Sequence, residues 1–116
     1  MVAAENDAIE SAAAELRTRG ADVRAVRADL ATPEGVEDLV AVALERPVDV
    51  LAANAGVGVG GDFVDDSDVR AHLRVVDLNV RSTVHLSKRL LPEMVERGAG
   101  SRTRSRSPRA GSCPTR

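Results

Sequence analysis

Residues 48–61 read VDVLAANAGVGVGG, from Val48 to Gly61. Val48–Ala53 is a near-continuous apolar run of strand length, and Asn54–Gly61 is a glycine-rich loop. A run without polar alternation is the pattern of a strand buried on both faces, which a helix-covered parallel sheet provides. Upstream, Thr32–Pro33–Glu34 starts a helix, with Thr32 as the cap and Pro33 in the first turn, where its missing N–H costs nothing. That helix carries Val36, Leu39, Val40, Ala43 and Leu44 on one face and ends near Arg46, because Pro47 disfavours helix in the residue before it. Further upstream, Asp22–Arg27 is a short strand-like run ending at Ala28–Asp29–Leu30. Residues 5–19 form a helix with Ile9, Ala12, Ala13 and Leu16 at spacings of three and four, closed by Gly20. Downstream, Asp65, Asp66 and Ser67 offer caps to a long helix whose stripe is Val69, Leu73, Val76, Val80 and Val84. It continues to about Glu96, with a kink predicted at Pro92. Helix–strand–helix–strand–long helix is half of a doubly wound α/β domain.

Composition agrees with a small helix-covered sheet. The chain has 116 residues, 43% of them apolar, and Phe63 is the single aromatic residue. The core is Val- and Ala-rich, which suits a buried parallel sheet better than an aromatic-pinned barrel. There is no tyrosine, so no mechanism that needs a phenol is open to these residues. The net charge of −2 joins two unlike segments. Residues 1–100 hold 11 basic and 18 acidic side chains, whereas residues 101–116 hold five arginines and no acid. An acidic body argues against a nucleic-acid-binding globule. The lone Cys113 excludes an intrachain disulfide framework and a cysteine-clustered zinc site. No basic-then-apolar leader is visible, and no run nears the roughly 18 apolar residues that span a bilayer. A cytoplasmic protein is the expectation. Residues 101–116, SRTRSRSPRAGSCPTR, carry only Ala110 and Cys113 as apolar residues and are predicted to be disordered, apart from a domain spanning 1–100.

Gly56, Gly58 and Gly61 match the G-x-G-x-x-G pattern after a predicted strand, with Asp77 at the distance of a ribose-binding acid. The context argues against a diphosphate cradle. The third glycine should open a helix whose free N–H groups meet the phosphates. Instead four aspartates, Asp62, Asp65, Asp66 and Asp68, intervene and would repel them. Those aspartates read as a solvated helix start rather than a Mg²⁺ site. His72 and His85 read as surface or helix-packing residues.

Three separated pieces resemble the short-chain dehydrogenase/reductase family, enzymes with a Rossmann fold that use NAD or NADP. They are Ala28–Asp29–Leu30, Leu51–Ala52–Ala53–Asn54–Ala55–Gly56, and Val76–Asp77–Leu78–Asn79–Val80. The spacing is 25 residues from Asp29 to Asn54 and 25 from Asn54 to Asn79. The resemblance implies that Asp29 and Leu30 sit beside the adenine ring, and that Asn54, Ala55 and Gly56 border the cofactor. It also implies that Asn79 belongs to the catalytic set, its carbonyl holding a water at a local distortion of the long helix. Physical reasoning allows the same roles. A short carboxylate at a strand's carboxyl edge can accept from an amino group, and Gly56 permits close approach. Asn79 is a poor helix former set mid-helix, beside the apolar stripe. For each residue a bland reading stands beside this one: a turn-forming Asp29, a simple turn at Asn54, and an Asn79 satisfied by a neighbouring loop.

The resemblance is open at both ends. The glycine turn that cradles the pyrophosphate, with the first two strands, would precede Met1. The catalytic Ser and the Tyr-x-x-x-Lys pair would follow Gly100, where the Arg/Ser segment stands instead. Lys88 does not fill the lysine position, because no tyrosine lies four residues before it. The expectation is a fragment of such an oxidoreductase: catalytically silent, binding dinucleotide weakly or not at all, with an alcohol or carbonyl substrate implied for the parent. Back-translated with Ser as TCN and Arg as CGN and read two bases later, Gly111–Arg116 gives aliphatic, aliphatic, then Pro or Ser, which tilts the reading toward a frameshifted tail. The alternative is a non-catalytic interaction module whose Arg/Ser tail binds RNA or a protein partner. In the family's 3-2-1-4-5 strand order the two predicted strands are third and fourth. They are not neighbours, so both should lose their native ladders and either stay as exposed edges, pair with each other or drive self-association, leaving a helical but poorly cooperative, aggregation-prone chain.

Overall fold

The computed structural model describes residues 2–4, 8–64 and 68–98. In chain order the elements are β1 (Val2–Ala4), α1 (Ala8–Thr18), β2 (Ala25–Arg27), α2 (Pro33–Ala43), α3 (Val69–Val76), a π-helical turn (Asp77–Arg81) and α4 (Ser82–Glu96). β1 and β2 pair in parallel, with Val2 opposite Ala25, Ala3 opposite Val26 and Ala4 opposite Arg27. With α1 as the crossover they form a βαβ unit of the Rossmann type. This corrects the expectation that the first helix opens the fold and that both later strands lack a ladder. Val2–Ala4 is three residues long, too short to show a period, and only its partner identifies it as a strand. The predicted caps Asp65, Asp66 and Ser67, the start of the 5–19 helix and the Arg/Ser tail lie outside the described residues.

The core forms where β2 hands over to α2. Ala28, Leu30, Val36, Val40 and Ala43 are buried together with Leu86 and Leu90 of α4. Thr32 caps α2, its hydroxyl accepting from the Gly35 N–H at 3.1 Å, and Pro33 sits in the first turn. Gly35 is the tightest point of this junction. A Cβ built there would lie 2.2 Å from the Asp29 carbonyl oxygen, so only glycine lets the helix start press against the strand exit.

Val48–Ala53 departs from expectation. Pro47–Gly60 is without regular secondary structure, and among the described residues nothing forms a ladder with it. Val48 and Leu51 pack against the core, while Val50 is 83% exposed. Apolar sequence alone does not make a strand, because its backbone groups need a neighbouring strand to pair with. The segment is held from its ends instead. The Arg97 guanidinium, beyond α4, donates to the Val48 carbonyl.

The long helix is present, but the apolar stripe read from its sequence does not face the core. Val69, Leu73, Val76, Val80 and Val84 are all at least half exposed. The buried face is Ser82, Leu86, Leu90 and Met94. Pro92 lies inside α4, and a change from α to π geometry falls earlier, at Asp77–Arg81. No helix among the described residues is long and apolar enough to cross a membrane.

Candidate functional site

Asp29 leaves β2 between two buried residues, Ala28 and Leu30. With both neighbours anchored in the core, its own side chain is left at the half-buried carboxyl edge of the sheet. There it meets Arg74 of α3, 45 residues away. Arg74 Nη2 donates to Asp29 Oδ1 at 3.0 Å and Nη1 to Oδ2 at 3.1 Å. The Ala31 N–H adds a third bond, to Oδ1, at 3.0 Å. The Arg74 guanidinium holds the Asp29 carboxyl below the usual aspartate value, against the opposing pull of burial, with the Ala31 N–H assisting. The Asp29 backbone carbonyl is also used, accepting from the Thr32 N–H at 3.0 Å and the Thr32 hydroxyl at 2.9 Å. A fixed, ionised acceptor thus stands at the end of β2. Leu30 is buried in the core, so its side chain is withdrawn from this edge.

Asn79 sits within the π-helical turn, where the wider ring replaces the regular i to i−4 ladder. Its amide grips the glycine loop like a neighbouring strand. Nδ2 donates to the Val57 carbonyl at 2.9 Å, and Oδ1 accepts from the Val57 N–H at 2.9 Å. Gly56 makes room for this grip, since a Cβ there would lie 3.3 Å from Asn79 Oδ1. The Asn79 backbone carbonyl accepts from the Thr83 hydroxyl at 3.2 Å. Asn54 and Ala55 are exposed in the same loop, and the Asn54 N–H donates to the Ala52 carbonyl at 3.0 Å.

Sequence motifs 25 residues apart are therefore joined through one helix. Asn79 holds the Asn54–Gly56 loop, and Arg74, one and a half turns earlier, holds Asp29. Arg74 was missed by sequence reasoning. Its partner is 45 residues away, and an arginine on a helix carries no local sign of such a contact. Asp77, the acid of the rejected glycine motif, pairs with Arg81 at 2.8 Å. α3 starts at Val69, well past Gly61, with Asp68 as its cap, so no glycine of that motif opens a helix. His85 packs between helices as read, its Nε2 2.7 Å from Glu37 Oε1 of α2, while Arg89 reaches the same carboxylate. His85 first, then Arg89, holds the Glu37 carboxyl below its ordinary value. His72 stands edge-on to Phe63, with ring centres 5.0 Å apart.

Comparison with known proteins places this geometry in a family. The family described as short chain dehydrogenase matches residues 1–102. The 1-deoxy-11-beta-hydroxypentalenate dehydrogenase of Streptomyces exfoliatus is 37% identical over 101 residues, which cover 84% of this chain and 37% of that protein. Oxidoreductase UcpA of Salmonella typhimurium is 37% identical over 97 residues, covering 82% and 36%. Among solved structures, the L-sorbose reductase of Gluconobacter frateurii, complexed with NADPH and L-sorbose, superposes with a TM-score of 0.73 at 32% identity. It covers 83% of this chain and 38% of the reductase. The chain thus spans little more than a third of the length of these relatives. On its family match, on the identity of these relatives and on its Rossmann-type βαβ unit, the chain belongs to the short-chain dehydrogenase family.

Proposed function

We propose that these residues form the adenosine-side part of an NAD(P)-dependent oxidoreductase, and that they do not turn over substrate by themselves. The observation that carries the reading is the ionised, pinned Asp29 at the carboxyl edge of β2 in a chain of this family. It is joined through α3 to the Asn79 grip on the glycine loop. The residues present fit one end of a dinucleotide. Asp29 offers an acceptor for a base amino group, and the Asn54–Gly56 backbone offers an edge without side-chain bulk. Asn79 holds that loop in register. When bound, the nicotinamide cofactor would supply the hydride donor or acceptor for an alcohol or carbonyl substrate.

The remaining chemistry lies beyond what these side chains can do. With no tyrosine among the 116 residues, no phenol is present to protonate a carbonyl oxygen. In this reading the protein works in the cytoplasm, with a dinucleotide and a small alcohol or carbonyl compound as its ligands. The exposed stripe along α3 and α4 supports self-association, and composition sets the domain at residues 1–100.

Titration calorimetry with NAD and NADP tests the reading. Affinity no tighter than millimolar is expected, worth only about 4 kcal/mol. Micromolar affinity would mean that residues 1–116 hold a complete diphosphate site, and would overturn the proposal. A longer protein carrying these residues should oxidise or reduce small alcohols or ketones with NAD or NADP. In it Asn79→Ala should lower turnover while leaving cofactor affinity nearly unchanged. Absence of any nicotinamide turnover in that protein would refute the oxidoreductase assignment.

A further inference from the structure

The Asp29–Arg74 pair has an asymmetry. Each carboxylate oxygen has two accepting positions. Oδ1 uses both, for the Ala31 N–H and Arg74 Nη2, whereas among the described residues Oδ2 accepts only from Arg74 Nη1. One accepting position on Oδ2 is left, and the pair is about one-third exposed. Arg74 also offsets the charge of Asp29, so an anionic ligand can approach without meeting a bare carboxylate. Its planar fork fixes both oxygens in one orientation, which a lysine could not do.

We propose that Arg74 is a positioning residue that makes Asp29 selective for a purine bearing an exocyclic amino group over one bearing a carbonyl at the same place. The inference rests on the adenosine-side reading above. Held ionised and in a fixed plane, Asp29 can only accept. An amino group therefore completes the Oδ2 position, whereas a carbonyl oxygen there meets a second acceptor and gains nothing. Without Arg74, only the Ala31 N–H would hold Asp29, through Oδ1; Oδ2 would turn and hydrate, and the preference would go.

The test is amide NMR of the ¹⁵N-labelled full chain titrated with AMP and, separately, with IMP. AMP should shift the amides of Ala28–Ala31, and IMP should bind about tenfold more weakly, the scale of one charge-assisted hydrogen bond. In Arg74→Ala the AMP affinity should fall to that of IMP, bringing the ratio to about one. Arg74→Lys, which keeps the charge and loses the fork, should give an intermediate ratio. The Val57 amide, held separately by Asn79, reports whether the fold persists. If Arg74→Ala loses its fold, Arg74→Lys decides, and a wild-type ratio in it overturns the role of Arg74. Equal weakening of AMP and IMP in Arg74→Ala would mark a merely structural contact and overturn the role as well. No response of Ala28–Ala31 to AMP in the wild type would instead overturn the adenosine-side reading, and this inference with it.

Discussion

Asp22–Leu30 and Val48–Ala53 each hold a short stretch that sequence reads as a strand, yet they end in different states. The first has β1 beside it and α2 folded back over it. It becomes a strand for three residues and buries Ala28 and Leu30. The second has no ladder among the described residues. It stays irregular, with Leu51 leaning on the core and Val50 in solvent. The second is the more apolar, five residues of six against five of nine, so the difference lies in backbone pairing. A strand whose N–H and C=O groups find no partner gains more from water than from being extended. The two candidate site loops inherit this contrast. Asp29 is fixed by a folded junction, whereas the loop after Asn54–Gly56 is held at Val57 by one asparagine amide reaching across from the π-helical turn.

The sharpest way to break the comparison is at the well-built end. Gly35→Ala sets a Cβ at 2.2 Å from the Asp29 carbonyl, so the α2 start must move off the strand exit. A loss of about 3 kcal/mol is expected in urea unfolding, and a change under 0.5 kcal/mol would mean the junction is looser than described. Next in size, Asn79→Ala removes both bonds to Val57. Hydrogen exchange at the Val57 amide should speed by about tenfold, with global stability changing by about 1 kcal/mol. Unchanged exchange would show that the loop is held by something other than Asn79.

Acid titration probes the folded junction on a smaller scale. The folded Asp29 carboxyl lies below the unfolded value near 3.8 because of Arg74. Its contribution is therefore complete above that value and is lost as pH falls through it toward the lower folded value. With both side chains about one-third exposed, the pair is worth about 0.5–1 kcal/mol after solvent screening. Arg74→Ala should flatten this part of the stability–pH curve, and an unchanged slope would contradict the ion pair. The smallest effect is expected at Val50. Its side chain is 83% exposed, so Val50→Lys should change stability by less than about 0.5 kcal/mol. A loss above 1 kcal/mol would show that the run is buried as a strand after all. Amide exchange gives the same contrast without mutation, fast at Val50 and slow at Val40 and Leu90.

Much of the fold was legible in local chemistry. The Thr32–Pro33 start of α2 and the buried face of Val36, Val40 and Ala43 follow from capping and 3.6-residue periodicity, whereas the cap of the long helix is Asp68 and not one of Asp65, Asp66 and Ser67. The spacing of Asp29, Asn54 and Asn79 pointed to the family, and the match across residues 1–102 shows it. The stripe Val69–Val84 was legible as apolar but not as exposed. Periodicity identifies a face, and only the neighbouring elements decide whether that face is covered.

By itself, then, the sequence determined which segments are helical, where α2 starts, and which three motifs carry the family likeness, because caps and periodicity act over a few residues. Tertiary structure decided that Val2–Ala4 is a strand and that Val48–Ala53 is not, that Arg74 rather than a nearer residue holds Asp29, and that Asn79 spends its amide on the Val57 backbone. Each of these depends on a partner 20 or more residues away. A hydrogen bond or ladder of that span is set by where the helices dock, and no local pattern encodes it.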